Sequence, residues 1–302
     1  MSKRDSVSNG SPFFLKSPTG TIGDLLAGCT SMLESEGVPN AEREAREILA
    51  AVLDVPRFWA AANPVANASP DVMRSVIRAA ILRAKGAPLA YAAGRAAFRH
   101  LTLEVDERVL IPRVETEVLI DRILERCGAD TRVVADIGTG SGAIALSLAF
   151  ERQFDRVYAT DISLDALNVA AANAASLTKV LKSMVEFRHG SLLAPLRGMR
   201  LDAVVCNPPY ISFAELIDLP PDVRDWEPCI ALLSAHDGLA ATRELVQSAP
   251  ESLRRGGLLA LEVDIRRAGS VAEMISVDRR YHDVEVLLDL TGRERFVLAR
   301  RV

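Results

Sequence analysis

The sequence predicts an α/β fold with a largely parallel sheet, preceded by a small helical domain. Two observations lead to this prediction. Beyond residue 130, apolar runs typical of buried strands alternate with segments of helical periodicity, whereas residues 21–86 show helical periodicity alone. Strands that alternate with helices form parallel sheets that the helices cover on both faces.

The length and composition of the chain limit its architecture and its partners. With 302 residues, of which 49% are hydrophobic, the chain can build one core of ordinary size and a second, smaller one. The net charge of −4 gives no basic surplus, which makes nucleic acid a less favoured substrate. The four cysteines are widely separated and the four histidines are isolated, so no metal site is predicted.

No membrane or targeting segment is predicted. No apolar run approaches the ~20 residues that a membrane-spanning helix needs, and residues 1–20 lack the apolar centre of a signal peptide. We therefore expect residues 1–20 to be a flexible tail and the protein to be soluble and cytoplasmic.

The N-terminal domain, residues 21–86, is predicted to be a bundle of three helices. The first has an apolar stripe that ends before Gly37, and the second begins at Asn40, a favoured N-cap residue. The third runs from Pro70 to Gly86, because proline and glycine favour the two ends of a helix. The apolar stripes are typical of core positions, and nothing in this domain has a catalytic pattern.

Residues 87–116 are predicted to be a β-hairpin linker between the domains. The alternating residues 101–105 are followed, after an acidic turn, by the apolar residues 109–111, which is typical of a hairpin. A helix is expected next, with Thr116 as a candidate N-cap residue. Residues 117–302 then form the α/β domain.

Seven strands are predicted in the α/β domain, near residues 132–137, 157–161, 184–187, 201–206, 257–263, 282–288 and 294–300. Only a short loop around Gly292 separates the last two strands. This spacing predicts an antiparallel hairpin at one edge of the sheet.

The first strand leads into a glycine-rich turn, Asp136-Ile137-Gly138-Thr139-Gly140-Ser141-Gly142, which a helix follows. Glycines permit a tight turn and close approach of a ligand, and the helix offers free N–H groups. The second strand ends on Asp161, roughly 20 residues beyond the turn, where an acid meets ribose hydroxyls. The pair indicates a nucleoside cofactor, although an acid at Asp161 equally suits the N-terminal cap of a helix that begins near Ser163.

The fourth strand ends at once in Asn207-Pro208-Pro209-Tyr210. Two prolines remove two backbone donors and force a stiff turn whose carbonyls lack ladder partners. Free carbonyls beside an asparagine and an aromatic ring suit a planar group with N–H donors, such as an amide or an exocyclic amine. The alternative is an ordinary proline-rich loop, and this motif by itself does not decide between the two.

Together these motifs resemble the S-adenosylmethionine-dependent methyltransferases that methylate amino groups, and within them the release factor glutamine methyltransferases of the HemK/PrmC type. The resemblance spans Thr21 to Arg301. It includes Pro88-Leu89-Ala90-Tyr91, the signature Ile111-Pro112-Arg113 with Thr116-Glu117, and the stretch from Asp222 to Leu239. It implies a Rossmann-like, seven-stranded methyltransferase domain behind the helical domain and the hairpin.

The chain departs from this family at three places. Val114 stands where members commonly have proline, and Ser191 stands where they have an acid near the adenine-binding stretch. The segment Leu261-Glu262-Val263-Asp264 replaces a more usual Glu-His-Gly but keeps the glutamate. The adenine contacts and the loop after Glu262 are therefore expected to differ.

The resemblance implies methyl transfer from S-adenosylmethionine, with S-adenosylhomocysteine as product, to the glutamine side-chain amide in the Gly-Gly-Gln motif of peptide chain release factors. It implies no metal, and we expect a monomer that acts on protein rather than nucleic acid. The implied catalytic residues are Asn207, Pro208 and Tyr210, and these three with Pro209 would bind the substrate. The implied cofactor residues are Gly138, Thr139, Gly140, Ser141, Gly142, Asp161, Leu192 and Asn207.

Two alternatives remain open at this point. An adenine amino-methyltransferase acting on DNA or RNA would use the same acceptors for an exocyclic amine, but it would be expected to carry a basic cleft or a nucleic-acid domain. A non-catalytic paralogue that binds S-adenosylmethionine without turnover would not need Asn207, Pro208 and Tyr210.

Overall fold

The computed structural model describes residues 20–302 and divides the chain into two compact units between Gly94 and Arg95. The predicted tail, residues 1–20, lies outside the described residues except for Gly20. Within residues 20–302, no helix combines the length and the apolar composition needed to cross a membrane.

The first unit is helical. Its five helices are α1 (Ile22–Ser35), α2 (Ala41–Leu53), α3 (Trp59–Ala62), α4 (Pro70–Ala84) and α5 (Leu89–Ala93). The three predicted helices correspond to α1, α2 and α4, and the short α3 and α5 were not predicted. Asn40 occupies the N-cap position of α2 but has left-handed backbone angles, and its side chain makes no capping bond. The predicted apolar stripes form the core of this unit, including Ile22, Leu33 and Ile48.

The second unit contains a hairpin, a seven-stranded sheet and eight α-helices. The strands are β1 (Arg95–Phe98), β2 (Leu101–Glu104), β3 (Val133–Ile137), β4 (Arg156–Asp161), β5 (Val185–His189), β6 (Leu201–Cys206), β7 (Leu253–Glu262), β8 (Tyr281–Leu288) and β9 (Glu294–Arg301). The helices are α6 (Val114–Arg126), α7 (Ala143–Glu151), α8 (Leu164–Leu177), α9 (Pro221–Trp226), α10 (Cys229–Leu232), α11 (Ala235–Gly238), α12 (Ala240–Ser252) and α13 (Ala268–Ser276).

The strand order of the sheet is β5-β4-β3-β6-β7-β9-β8. Strands β3 to β7 are parallel, and β9 is antiparallel to both of its neighbours. The seven predicted strands and the antiparallel hairpin at one edge are confirmed. Chain order reverses at β3, which pairs with β4 on one side and β6 on the other, and such a reversal opens a crevice at the carboxyl ends of the strands.

Helices cover both faces of this sheet. Successive side chains of a strand point to opposite faces, so each strand contributes to a core on both sides. On β3, Val134 belongs to one buried cluster, while Ala135 and Ile137 belong to the other. The cluster of Val134 includes apolar residues of α6 and α7, and the opposite cluster includes those of α12 and α13. These two buried layers pack against the strands from both sides of the sheet.

The predicted hairpin pairing of residues 101–105 with 109–111 is wrong. The strand β2 pairs instead with the preceding β1, in the register Phe98 opposite Leu101. Arg99 turns the chain in a left-handed conformation with φ 51°, and β1 gave no strand signal because its centre is two alanines, a residue depleted in strands. Residues 109–111 form no strand, and the Ile111 N–H donates to the Glu227 carboxylate instead.

Candidate functional site

A cleft of about 360 Å³ lies at the carboxyl ends of the parallel strands. Residues that follow β3, β4, β5 and β6 all line it. Of the residues implied by the resemblance, the structure brings six to its wall: Gly138, Gly140, Asp161, Leu192, Asn207 and Pro209. Four of the other five, Thr139, Ser141, Pro208 and Tyr210, lie next to lining residues in the chain, and Gly142 lies two residues beyond Gly140.

Two glycines of the cleft have free space beside their backbone. Gly138 and Gly140 have φ values of 71° and 55°, which favour glycine, and a Cβ atom built on either would meet no atom within 4 Å. Gly142 differs, because a Cβ atom there would lie 2.9 Å from the Leu146 side chain and 3.3 Å from that of Ala170. Gly138 and Gly140 therefore admit a ligand, whereas Gly142 permits close packing at the start of α7.

Thr139 and Ser141 hold the glycine turn from the protein side. The Thr139 hydroxyl donates to Asp136 Oδ2 over 2.6 Å, and the same oxygen accepts from the Ala145 N–H over 3.1 Å. The Ser141 carbonyl accepts from the Asn173 amide. Burial raises the pKa of Asp136 to about 7. Both residues thus fix the shape of the turn and are buried beneath the cleft.

Asp161 connects the glycine turn to the next helix. Its Oδ2 accepts from the Gly140 N–H and its Oδ1 from the Ser163 N–H, each over 2.9 Å. Ser163, and not Asp161, is the N-cap residue of α8, since its hydroxyl accepts from the Ala166 N–H. Each carboxylate oxygen has a further lone pair, so Asp161 can accept hydroxyl protons from a ligand in the cleft.

Asn207 is held from behind by a threonine. Its Nδ2 donates to Thr116 Oγ1 over 3.2 Å, and the Thr116 hydroxyl donates to Glu262 Oε2 over 2.7 Å. The prediction of Thr116 as an N-cap residue is wrong, because α6 begins at Val114 and Arg113 is its N-cap. Thr116 lies in the first turn of the helix, and no sequence pattern indicated its bond to Glu262, 146 positions away.

Tyr210 is half-buried and is not among the residues that line the cleft. The guanidinium of Arg295 lies 5.8 Å from the centre of its ring, and burial raises the pKa of the Tyr210 hydroxyl to about 12. The backbone is enclosed as well: a Cβ atom on Gly238 would lie 2.1 Å from the Tyr210 carbonyl oxygen. The turn after β6 therefore packs closely against residues 235–238.

Sequence reasoning missed the rest of the lining. The missed lining residues include five in connectors, Arg108, Val109, Leu110, Ile162 and Leu233, and two in helices, Ile230 of α10 and Glu244 of α12. Connector segments have no periodicity that predicts which side chains face a ligand. The single available signal was the resemblance over the stretch from Asp222 to Leu239, which contains two of these residues, Ile230 and Leu233. Ser191, noted as a departure from the family, also lines the cleft.

Two family models match the chain. The model described as the PrmC N-terminal domain matches residues 24–94, and the Methyltransferase small domain matches residues 114–217. A release factor glutamine methyltransferase of Moorella thermoacetica is 42% identical over 93% of this chain and 99% of its own length. Relatives of the same name from Deinococcus radiodurans and Bacillus cereus are 39% and 35% identical, each over 98% of its own length.

The chain belongs to the release factor glutamine methyltransferase family. It is therefore an S-adenosylmethionine-dependent methyltransferase that acts on glutamine. Among solved structures, the catalytic domain of hMettl16 in complex with a MAT2A 3′UTR hairpin matches with a TM-score of 0.54 and 17% identity, over 76% of this chain and 81% of that one. That likeness shows the methyltransferase fold alone.

The cleft of this glutamine methyltransferase fits its cofactor. A cradle of backbone atoms at Gly138 and Gly140 is open to a ligand, and the Asp161 carboxylate beside it can accept hydroxyl protons. The cleft wall is mostly apolar elsewhere, including Leu192 and Ile230, as an adenine ring requires. Within residues 20–302, no group of three or more His, Cys, Asp or Glu side chains is placed to hold a metal ion.

Proposed function

We propose that this protein methylates the side-chain amide nitrogen of the glutamine in the Gly-Gly-Gln motif of peptide chain release factors. The proposal rests on the hydrogen bonding of the Asn207 side chain in the cleft. Its Nδ2 is committed to Thr116, while its Oδ1 accepts no hydrogen bond from any residue in the range 20–302. A free acceptor on a rigid strand end is what a glutamine N–H requires.

The proposed chemistry follows from the weakness of an amide nitrogen as a nucleophile. Its lone pair is delocalised into the carbonyl, so the nitrogen must be held in line and the charge that develops on it must be stabilised. The Asn207 side-chain oxygen and the Pro208 carbonyl would accept its two N–H groups, and Tyr210 would support the amide plane. The Pro208 carbonyl accepts no bond from residues 20–302, which supports this assignment.

The cofactor supplies the methyl group as an electrophilic sulfonium and becomes S-adenosylhomocysteine. Gly138 and Gly140 would lie against its methionine part, Asp161 would accept its ribose hydroxyls, and Leu192 would lie against adenine. As the new N–C bond forms, the nitrogen becomes cationic and then acidic, so its proton can pass to water without a strong base. The proposal therefore needs no general base within the Asn-Pro-Pro-Tyr motif.

The proposal also covers partners and location. The names of the relatives include release factors. We propose that a release factor is the protein substrate of this enzyme, and that the enzyme is monomeric and cytoplasmic. Light scattering of the purified protein would test the monomer, since a mass near twice 32.7 kDa would contradict it.

The test is transfer of radiolabelled methyl from S-adenosylmethionine to purified, unmethylated release factor. Parallel reactions contain a release factor with alanine in place of the Gly-Gly-Gln glutamine, and a DNA control. Label in the unaltered factor alone supports substrate and acceptor together. Label in DNA, or in the alanine variant, would contradict the proposed substrate and leave the family assignment unchanged.

A further inference from the structure

Three elements meet behind Asn207. Glu262 ends β7 and is fully buried, Thr116 lies in the first turn of α6 and is 4% exposed, and Asn207 follows β6. Their side chains form a chain of two hydrogen bonds, Asn207 Nδ2 to Thr116 Oγ1 and Thr116 Oγ1 to Glu262 Oε2. The other Glu262 oxygen, Oε1, has no hydrogen-bond partner among the described residues.

The Thr116 hydroxyl determines which group donates in each of these two hydrogen bonds. A threonine hydroxyl has one proton and two lone pairs. Because that proton is donated to Glu262, the Thr116 oxygen can only accept from Asn207, and so it must face the amide nitrogen. The amide oxygen is then turned away from Thr116. This holds whether Glu262 is ionised or carries a proton on Oε1, since Oε2 remains an acceptor in both states.

We infer that Thr116 and Glu262 are positioning residues that set which end of the Asn207 amide is presented to the substrate. The inference rests on the proposed function, in which the Asn207 oxygen accepts an N–H of glutamine. Without an acceptor at position 262, the Thr116 proton would be free to bond the Asn207 oxygen. The amide would then rotate and present N–H donors to a substrate that itself offers N–H donors.

Charged and ionisable groups surround Glu262 from several elements, and none of them replaces Thr116 as its hydrogen-bond partner. Arg295 of β9 and Arg113 before α6 favour its charge, whereas Glu115 of α6 opposes it. Tyr210 and Cys206 are the uncharged ionisable groups that its charge affects. The carboxyl is thus buried, and its one hydrogen bond within residues 20–302 leads to Asn207 through Thr116.

The closing experiment measures kcat on release factor, and S-adenosylmethionine binding by calorimetry, for matched pairs of variants. Thr116→Val removes the hydroxyl and Thr116→Ser keeps it. Glu262→Met removes the acceptor and Glu262→Gln keeps an amide oxygen. We expect Thr116→Val and Glu262→Met to lower kcat at least about tenfold, the equivalent of ~1.4 kcal/mol, with cofactor affinity within about twofold. Serine and glutamine should each restore most of kcat.

The double variant and a control complete the design. If the two residues act through one path, Thr116→Val combined with Glu262→Met should lose no more kcat than either alone. Thr242→Val, which alters a buried threonine of α12, should keep wild-type kcat. Thermal unfolding of each variant separates loss of positioning from loss of fold, and the serine and glutamine variants keep the test decisive if valine destabilises the protein.

The outcomes separate the inference from the proposed function. If the wild type transfers no methyl group to release factor, the proposed function fails and the inference with it. If the wild type is active and Thr116→Val equals Thr116→Ser in kcat, the inference alone is overturned. Equal activity of Glu262→Met and Glu262→Gln would overturn it as well.

Discussion

At the scale of single residues, Asn207 is the side chain on which the proposed reaction depends most. We expect Asn207→Ala to lower kcat at least ~100-fold, comparable with the loss of one positioned transition-state contact. Cofactor affinity should change less, because the cleft has many other lining residues. Steady-state kinetics with release factor, beside calorimetry with S-adenosylmethionine, would measure both. Near-native turnover of the variant would contradict the assigned role.

Two glycines of the same turn should respond differently to alanine. Both substitutions place a side chain at positive φ, but Gly140 faces open space in the cleft and Gly142 faces Leu146 and Ala170. Gly140→Ala should weaken cofactor binding more than it lowers stability. Gly142→Ala should destabilise the fold by about 1–3 kcal/mol through overpacking. Denaturant unfolding and calorimetry on the pair test this, and the reverse pattern would show that the two glycines were assigned the wrong roles.

At the scale of elements, an ion pair joins the start of α6 to the segment between α9 and α10. Arg113 Nη2 lies 2.5 Å from Oε1 of Glu227, whose side chain is 1% exposed. Burial raises the pKa of Glu227 in spite of this partner, so the carboxyl depends on Arg113 for compensation. The pair anchors the segment from Ile230 to Ala235, most of which lines the cleft.

We expect Arg113→Met to destabilise the protein by about 3 kcal/mol, because it leaves a buried carboxyl without its ionic partner. Amide hydrogen exchange should rise in residues 227–238 and remain unchanged in the helices of the N-terminal unit. The matched control is Arg224→Met, whose ion pair with Asp225 is exposed and should contribute little. Equal effects of the two variants would contradict the anchoring role.

The elements also show why part of the structure could be predicted from the sequence and part could not. Strands β3, β6 and β7 were predicted because central parallel strands, buried on both faces, appear as apolar runs. The strand β1 was missed because Ala96 and Ala97 become a strand only by pairing with β2. The role of Thr116 was missed for a similar reason, since its partner Glu262 is brought to it by the sheet and not by the local sequence.

At the scale of the whole molecule, two buried carboxyls make stability depend on pH. Burial raises the pKa values of Asp136 and Glu262 to about 7, from ordinary values near 4. Between these values the folded state holds protons that the unfolded state has lost. These two groups therefore contribute their full stabilisation below about pH 4. Their contribution to the free energy of unfolding is lost as pH rises through about 7, by up to about 1.4 kcal/mol per pH unit for each proton.

Denaturant unfolding from pH 5 to pH 8 should thus show a free energy of unfolding that falls with pH. Carboxyls with lowered pKa values, such as Asp106 and Asp278, act in the opposite direction but below about pH 4. Glu262→Gln, which cannot ionise, should reduce the slope. A free energy that rises with pH over this interval, or an unchanged slope in the variant, would contradict the expected titration.

The position of β9 has a consequence for the order in which the sheet is assembled as the chain is synthesised. Strand β9 follows β8 in the chain but lies between β7 and β8. The five parallel strands, with the cleft at their ends, can pair before residues 294–301 exist, whereas β8 has no strand beside it until then. A nascent chain halted before Glu294 would expose the apolar edge of β7, and such an edge is a template for aggregation.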